Sequence, residues 1–348
     1  MGVELGEIFN SAVNNTLFNN KSVLQIRYTP DSIPHRDKQI KSLALILAST
    51  LRGERPSNLF IYGKTGTGKT VSVQYVRDEL IKKGEELGVE IKFNYLNCKL
   101  KKVADTEYRI LAALIKQLGG SVPATGLPTD QIWAKFIELI DDKKQLIVFI
   151  FDEIDQAIKK VSDTFLYSLT RLNQELNLAQ ISFVGISNDV TFLENIDPRV
   201  RSSLGEEEFV FPPYNAIQLQ DILNKRSVNA FRVNVLQPGV VAKCAAFAAR
   251  EHGDVRRAID LLRVAGELAE RDNSKEISLK HMHPPPPVLP LRDRCLLHEN
   301  PAHKHYATRN AKRGFPAIPN RTKAGGGSLL QRSPSVGLLP ASARPWND

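Results

Sequence analysis

Apolar positions in this chain alternate between two spacings up to about residue 187 and keep only one of them afterwards. Ile40, Leu43, Ile46 and Leu47 sit at helical spacing within residues 36–51, and Ile110, Leu111, Leu114, Ile115 and Leu118 mark one face of a later helix. Leu59–Tyr62 and Leu146–Phe151 are short unbroken apolar runs of the kind that fully buried strands show, "EIKFNYLNC" alternates Ile91, Phe93 and Tyr95, and "ISFVGISND" reads as a further strand. Val71, Val73, Val76 and Leu80 predict a helix that ends at Gly84. Alternating strands and helices predict a parallel sheet covered by helices. From about residue 215 to 272 the signals are helical only, which predicts a small all-helical domain behind the sheet domain.

After residue 280 the pattern stops. Residues 281–348 hold eleven of the twenty prolines and five of the seven histidines, with no sustained period of 3.6 or 2, and read as disordered. Cys295, His298, His303 and His305 lie in this tail and make a metal site on paper, but nothing around them predicts a core to orient them. Cys98, Cys244 and Cys295 are far apart and form no CxxC, so neither a disulfide framework nor a strong zinc signature is present.

The net charge of +9 invites a nucleic-acid partner, and its distribution qualifies that reading. The tail carries ten Lys and Arg against three Asp and Glu, whereas the first 280 residues carry 37 against 35. A DNA-binding face in the folded part therefore has to come from local clustering. At 348 residues and 42% hydrophobic content the chain can fill two or three domains. Runs such as Leu146–Phe151 fall far short of a membrane span, and the N-terminus shows no charged-then-apolar leader. The expectation is a soluble cytoplasmic, nucleoid-associated protein with no membrane partner.

Chemistry concentrates in three places. "SNLFIYGKTGTGKT" runs a strand into the loop Gly63, Lys64, Thr65, Gly66, Thr67, Gly68, Lys69, Thr70. Glycines let backbone amides crowd an anion, the lysine reaches outer phosphates, and the threonine hydroxyl can ligate Mg²⁺. "LIVFIFDEID" puts Asp152, Glu153 and Asp155 at the carboxyl end of a buried strand, where ligands bind in open α/β sheets. Asp152 is placed to hold Mg²⁺, and Glu153 to orient a water against the γ-phosphate. A strand ending in Ser187 and Asn188 supplies an amide that could share that water. Arg199 and Arg201, after Pro198, are either ordinary surface charges or fingers for a neighbouring subunit's phosphate.

With these motifs in order, and with "IPHRDKQI", "DPRVRSSL", "FPPYNAIQLQDILNKR" and "GDVRRAIDLLR" beside them, the chain resembles AAA+ ATPases, and among them the archaeal initiators related to the origin recognition complex and the replication-licensing ATPase. The resemblance covers roughly residues 15–275. It implies an AAA+ P-loop base domain over residues 1–210, a helical lid over 211–276, and a tail, 277–348, where a winged-helix DNA reader is expected; a frameshifted or otherwise altered C-terminus would give this composition. It also implies ATP and ADP with Mg²⁺ as ligands, Asn188 as first sensor, Arg256 as second sensor, and Tyr214 and Arg226 lining the nucleotide between base and lid. Trp133, Lys135 and Lys143 lie where such initiators carry a DNA-contacting helix, although Trp133 also reads as helix core. The function implied is a slow ATP-hydrolysing switch that binds duplex origin DNA, recruits a replicative helicase of the minichromosome maintenance type and contacts other initiator copies. A clamp-loader or branch-migration motor, or a signalling NTPase gating a protein partner, would share the same phosphate loop.

Overall fold

Five parallel strands form one sheet: β1 (Leu59–Tyr62), β2 (Lys92–Asn97), β3 (Leu146–Asp152), β4 (Gln180–Ser187) and β5 (Glu207–Val210), in spatial order β2-β3-β4-β1-β5. The structure is a computed structural model and describes residues 16–25, 28, 30, 32–99, 105–123, 126–191, 194, 196–204 and 207–282. The chain divides into two units, Met1–Pro285 and Pro286–Asp348, and the described residues belong to the first. The tail from residue 283, with its Cys295, His298, His303 and His305, lies outside the described residues.

Helices cover both faces of the sheet, as an apolar run with no polar alternation requires. Alternate residues of β3 point to opposite sides. Ile147, Phe149 and Phe151 pack with Ile110 and Leu114 of α3 (Glu107–Gln117) and Phe136 of α4 (Thr129–Ile140). Val148 and Ile150 pack with Leu43 and Leu47 of α1 (Asp37–Leu47) and Val73 and Val76 of α2 (Lys69–Leu87). The shorter α5 (Ile154–Val161), α6 (Thr164–Arg171) and α7 (Pro198–Leu204) complete the first face.

Two local expectations change. Helix α2 does not stop at Gly84 but runs to Leu87, capped by Gly88 in the left-handed region at φ +68°. Gly84 is needed inside the helix because the chain doubles back over it: Val89 N–H donates to Gly84 O at 2.8 Å, and a Cβ there would sit 2.8 Å from Val89 O. On β2, Asn94 and Leu96 are the buried residues, while Phe93 and Tyr95 are half-buried against the α1–α2 side. Both faces of the strand are covered, so its apolar alternation marks only one of two packed sides.

The lid is three helices, α8 (Ala216–Ala230), α9 (Val240–Arg250) and α10 (Val255–Arg271). Asn215 starts α8 with a reciprocal cap, its side chain accepting from Gln218 N–H while the Gln218 side chain accepts from Asn215 N–H. The lid core extends past the 211–276 span at both ends, because Leu17, Phe18, Val23 and Leu24 from before it and Ile277 and Met282 from after it belong to the same buried cluster. Phe18 stacks on Phe231 at 4.8 Å, over Gly266, where a Cβ would lie 2.5 Å from the Phe18 ring. The helical unit therefore borrows the segment that precedes the sheet domain in sequence. Among the described residues no helix is long and apolar enough to cross a membrane.

Candidate functional site

The carboxyl ends of β1, β3 and β4 lie level: Tyr62 pairs with Ser187, Asp152 with Ile186, and Asn97 at the end of β2 with Asp152. The loop after β1 turns on Gly66 at φ +73° and Gly68 at φ +88°, and α2 begins at Lys69. Its N-terminal amides therefore face the edge of the sheet where ligands bind in this class of fold.

Lys69 is buried and its Nζ donates to Gly63 O (2.7 Å), Lys64 O (2.9 Å) and Asn188 Oδ1 (2.8 Å). Burial lowers its pKa to about 8; Asp152 works against that shift and Arg256 adds to it. Thr70 donates its hydroxyl to Asp152 Oδ2 at 3.0 Å, and Tyr95 donates to the same oxygen at 2.7 Å. Burial, and next the neighbouring Asp152 charge, push the Tyr95 phenol up, so it stays a donor. A hydroxyl beside a carboxylate is a hard-cation donor set, and the two fit Mg²⁺ in chemistry.

Glu153 leaves β3 in the left-handed region, φ +54°, a strained backbone for a residue with a side chain. That turn starts α5 and directs the carboxylate to Lys99, 3.2 Å away. Asp155, also buried, accepts from Ser187 Oγ (3.2 Å) and Asn188 N–H (3.4 Å), which ties the end of β4 to the start of α5 and sets where Asn188 points.

The lid closes over this edge. Val255 N–H donates to Gly66 O at 3.2 Å, and Asp254 caps α10 by accepting from Arg256 N–H at 2.8 Å. A Cβ on Gly66 would lie 1.7 Å from Asp254 Oδ1, so glycine is required there by contact as well as by φ. Arg226 donates to Val23 O at 2.8 Å and lies over the Tyr28 ring at 5.1 Å, and burial lowers its pKa. Tyr214 is buried under the guanidinium of Arg36, 3.8 Å from its ring centroid.

A cavity of about 780 Å³ lies between base and lid. It brings together Gly66, Thr67, Gly68, Lys69, Thr70, Asp152, Glu153, Asn188, Tyr214, Arg226 and Arg256. Gly63 takes part through its carbonyl on Lys69, and Lys64 likewise, while Thr65 contributes loop length; none of the three lines the cavity. Arg199 and Arg201 are exposed on α7, outside it. Trp133 packs its ring against Phe136 and Phe165 at 6.0 Å and donates to Glu107 Oε1 at 2.6 Å, so it is half-buried against the core; Lys135 and Lys143 are exposed. The sequence reading missed the wall made by Val23, Tyr28 and Ile33, and also Tyr95, Lys99 and Arg36. Ile33 and Arg36 carried a signal as members of "IPHRDKQI", and Tyr95 one only as a strand position.

Sequence profiles match in two places: the AAA ATPase domain at residues 32–184 and the Cdc6 AAA+ ATPase-type lid domain at 220–284. The ORC1-type DNA replication protein of Pyrococcus furiosus is 50% identical over 285 residues, covering 80% of this chain and 67% of that protein. The chain belongs to the ORC1/Cdc6 family of AAA+ replication proteins. ORC1-type DNA replication protein 1 of Methanosarcina mazei is 52% identical over 267 residues, 77% of this chain and 64% of that protein. The structure of the Aeropyrum pernix ORC1 protein in complex with DNA superimposes with a TM-score of 0.70 and 38% identity, covering 87% of this chain and 84% of that one. The chain spans about two thirds of the length of the ORC1-type relatives it matches. Membership of a family with an AAA ATPase domain implies nucleotide binding, and the lysine, hydroxyl and carboxylate that line the cavity suit a phosphate ligand in chemistry.

Proposed function

We propose that this chain is an ATP-switched replication initiator that engages duplex origin DNA and a replicative helicase of the minichromosome maintenance type. The observation that carries the reading is the convergence of Lys69, the Thr70–Asp152 pair, Asn188 and Arg256 on one cavity roofed by the lid. The similar Aeropyrum pernix ORC1 protein has been seen in complex with DNA, and family membership brings that partner to this chain as an inference.

Lys69 gives its ammonium to the outer phosphates in exchange for the carbonyls and amide it holds now. Thr70 and Asp152 would hold Mg²⁺, which would supply positive charge against the phosphates. Glu153 orients the attacking water and Asn188 shares it. Arg256, at the first turn of α10, reads the terminal phosphate from the lid side, so that ATP and ADP set different lid positions. Glu153 is paired with Lys99 at 3.2 Å and leaves that contact to orient water, in keeping with slow turnover.

The test is binding of the purified 348-residue protein to labelled origin-region and scrambled duplexes, with ATP and without, across a salt series. The proposal expects an ATP-dependent preference for origin DNA that survives higher salt. Equal, steeply salt-sensitive binding to both duplexes would reduce the DNA contact to nonspecific phosphate attraction and sink the origin-binding part.

A further inference from the structure

Arg36 is 2% exposed, yet among the described residues no carboxylate meets its guanidinium. Its acceptors are carbonyl oxygens: Nε donates to Thr67 O at 2.9 Å, Nη2 to Pro212 O at 2.6 Å and Nη1 to His35 O at 3.4 Å. The plane lies over the Tyr214 ring at 3.8 Å, with the Phe211 ring at 5.6 Å. His35, in the left-handed region at φ +62°, makes the turn from which Arg36 enters the interior. Burial lowers the pKa of Arg36, but a guanidinium starts so high that it stays charged. A buried charge without a counter-ion is costly, and only a planar fork of five donors can reach carbonyls on two separate segments while stacking on a ring.

The two segments are the phosphate loop and the connection from β5 into the lid. Thr67 O belongs to the same planar peptide as Gly68 N–H, and the two point in opposite directions. An anion that accepts from Gly68 N–H polarises that peptide and strengthens the bond from its oxygen to Arg36. From Pro212 the path continues to Tyr214, whose N–H donates to Gly253 O at 3.4 Å and whose hydroxyl lies 2.9 Å from where a Gly68 Cβ would be. Gly253 leads into Asp254 and Val255, and Val255 returns to Gly66 O.

We propose that Arg36 is a positioning residue that couples phosphate binding in the loop to the angle of the lid. The proposal rests on nucleotide occupying the cavity as read above. Its action is reciprocal: a nucleotide that tightens the Thr67 contact holds the Pro212–Tyr214 connection, and a lid held closed presents the loop peptide in its binding orientation.

Two variants test it by hydrogen exchange and fluorescent-nucleotide titration: Arg36→Met, which removes the charge, and Arg36→Lys, which keeps a buried cation but cannot bridge both carbonyls and stack. In the wild type, ATPγS should slow exchange in peptides covering the phosphate loop, Phe211–Gln218 and His252–Ile259. In each variant that folds, protection should persist in the loop but be lost from the other two, with affinity down about tenfold. A residue that only stabilised the fold would change exchange alike with and without nucleotide. Wild-type nucleotide response at Phe211–Gln218 and His252–Ile259 in Arg36→Lys, whatever Arg36→Met does, overturns the coupling role. Failure of the wild type itself to bind overturns the nucleotide reading instead.

Discussion

Thr70 and Asp152 stand 82 positions apart in sequence and meet hydroxyl to carboxylate at 3.0 Å, with Tyr95 donating to the same Asp152 oxygen. The contact joins the first turn of α2 to the end of β3, so the hydroxyl and carboxylate are brought together before any cation arrives. That is preorganisation: the cost of assembling two donors from different elements is met by the sheet.

Asp152→Asn should therefore cost little in stability and much in cation dependence. The amide fills the same space, and Tyr95 can still donate to its oxygen. Mg²⁺ should then strengthen ATP binding in the wild type by about tenfold or more relative to EDTA and have almost no effect on the variant. Nucleotide titrations with and without Mg²⁺ decide it, and an unchanged ratio would remove Asp152 from the cation site.

Lys69 makes binding depend on pH in a defined direction. Its pKa in the empty site is about 8, while a bound phosphate favours the ammonium and raises it. Below about pH 7 both states are protonated, and affinity is flat with pH as far as this group is concerned. Above pH 8 the empty site has lost the proton that the bound state keeps, so binding takes one up and affinity falls by up to about tenfold per unit. Calorimetry in buffers of different ionisation enthalpy should show uptake approaching one proton at pH 9 and little at pH 6.5. No uptake at pH 9 would mean that Lys69 is already charged without ligand.

Glu153→Gln should separate binding from turnover. The amide keeps the size of the side chain and loses the base that orients water, an effect of roughly a hundredfold or more. ATP affinity should stay near wild type while single-turnover hydrolysis falls by that factor. Lys99→Ala should move hydrolysis the other way, because the 3.2 Å ion pair that Glu153 leaves to orient water is gone. Lys99 is largely exposed, so the increase should be modest and shrink at high salt. A fall in turnover on Lys99→Ala would instead give that lysine a positive part in the reaction.

The parts of this site legible in the sequence are those where one element carries both the fold signal and the chemistry. Leu59–Tyr62 is a strand by its apolar run, and the glycine loop follows without a gap; Leu146–Phe151 leads into Asp152 in the same way. The opposite wall has no such continuity. Val23, Tyr28 and Ile33 belong to a segment without period, and they reach the cavity because Leu17, Phe18, Val23 and Leu24 pack into a lid some two hundred residues further on. Arg36 looks like an exposed charge at the start of α1, since a buried guanidinium satisfied by carbonyls leaves no acidic partner in the sequence to betray it. Trp133 shows the reverse: its place in a possible DNA-contacting helix is explained by the apolar side of α4, where Ile132, Phe136 and Ile140 are buried.

The contact between Gly66 and Asp254 supplies the sharpest test of lid closure, because one added methyl group should act at a distance. Ala at position 66 meets a left-handed backbone, at a cost of roughly 1–2 kcal/mol, and its Cβ would overlap the Asp254 carboxylate. The carboxylate also caps α10, and losing such a cap costs roughly 0.5–2 kcal/mol. Gly66→Ala alone should lower nucleotide affinity by pushing away the lid and, with it, Arg256. Asp254→Ala alone should lower the melting temperature through the lost cap. In the double variant the overlap is absent, so in either measure, expressed as a free energy, the losses of the two single variants should sum to more than the loss of the double variant by about 1 kcal/mol or more, the mark of residues in contact. Additive losses in melting temperature and nucleotide affinity would show that the lid does not rest on the phosphate loop in solution, and the coupling argued for Arg36 would then have to reach the lid through Pro212 and Tyr214 alone.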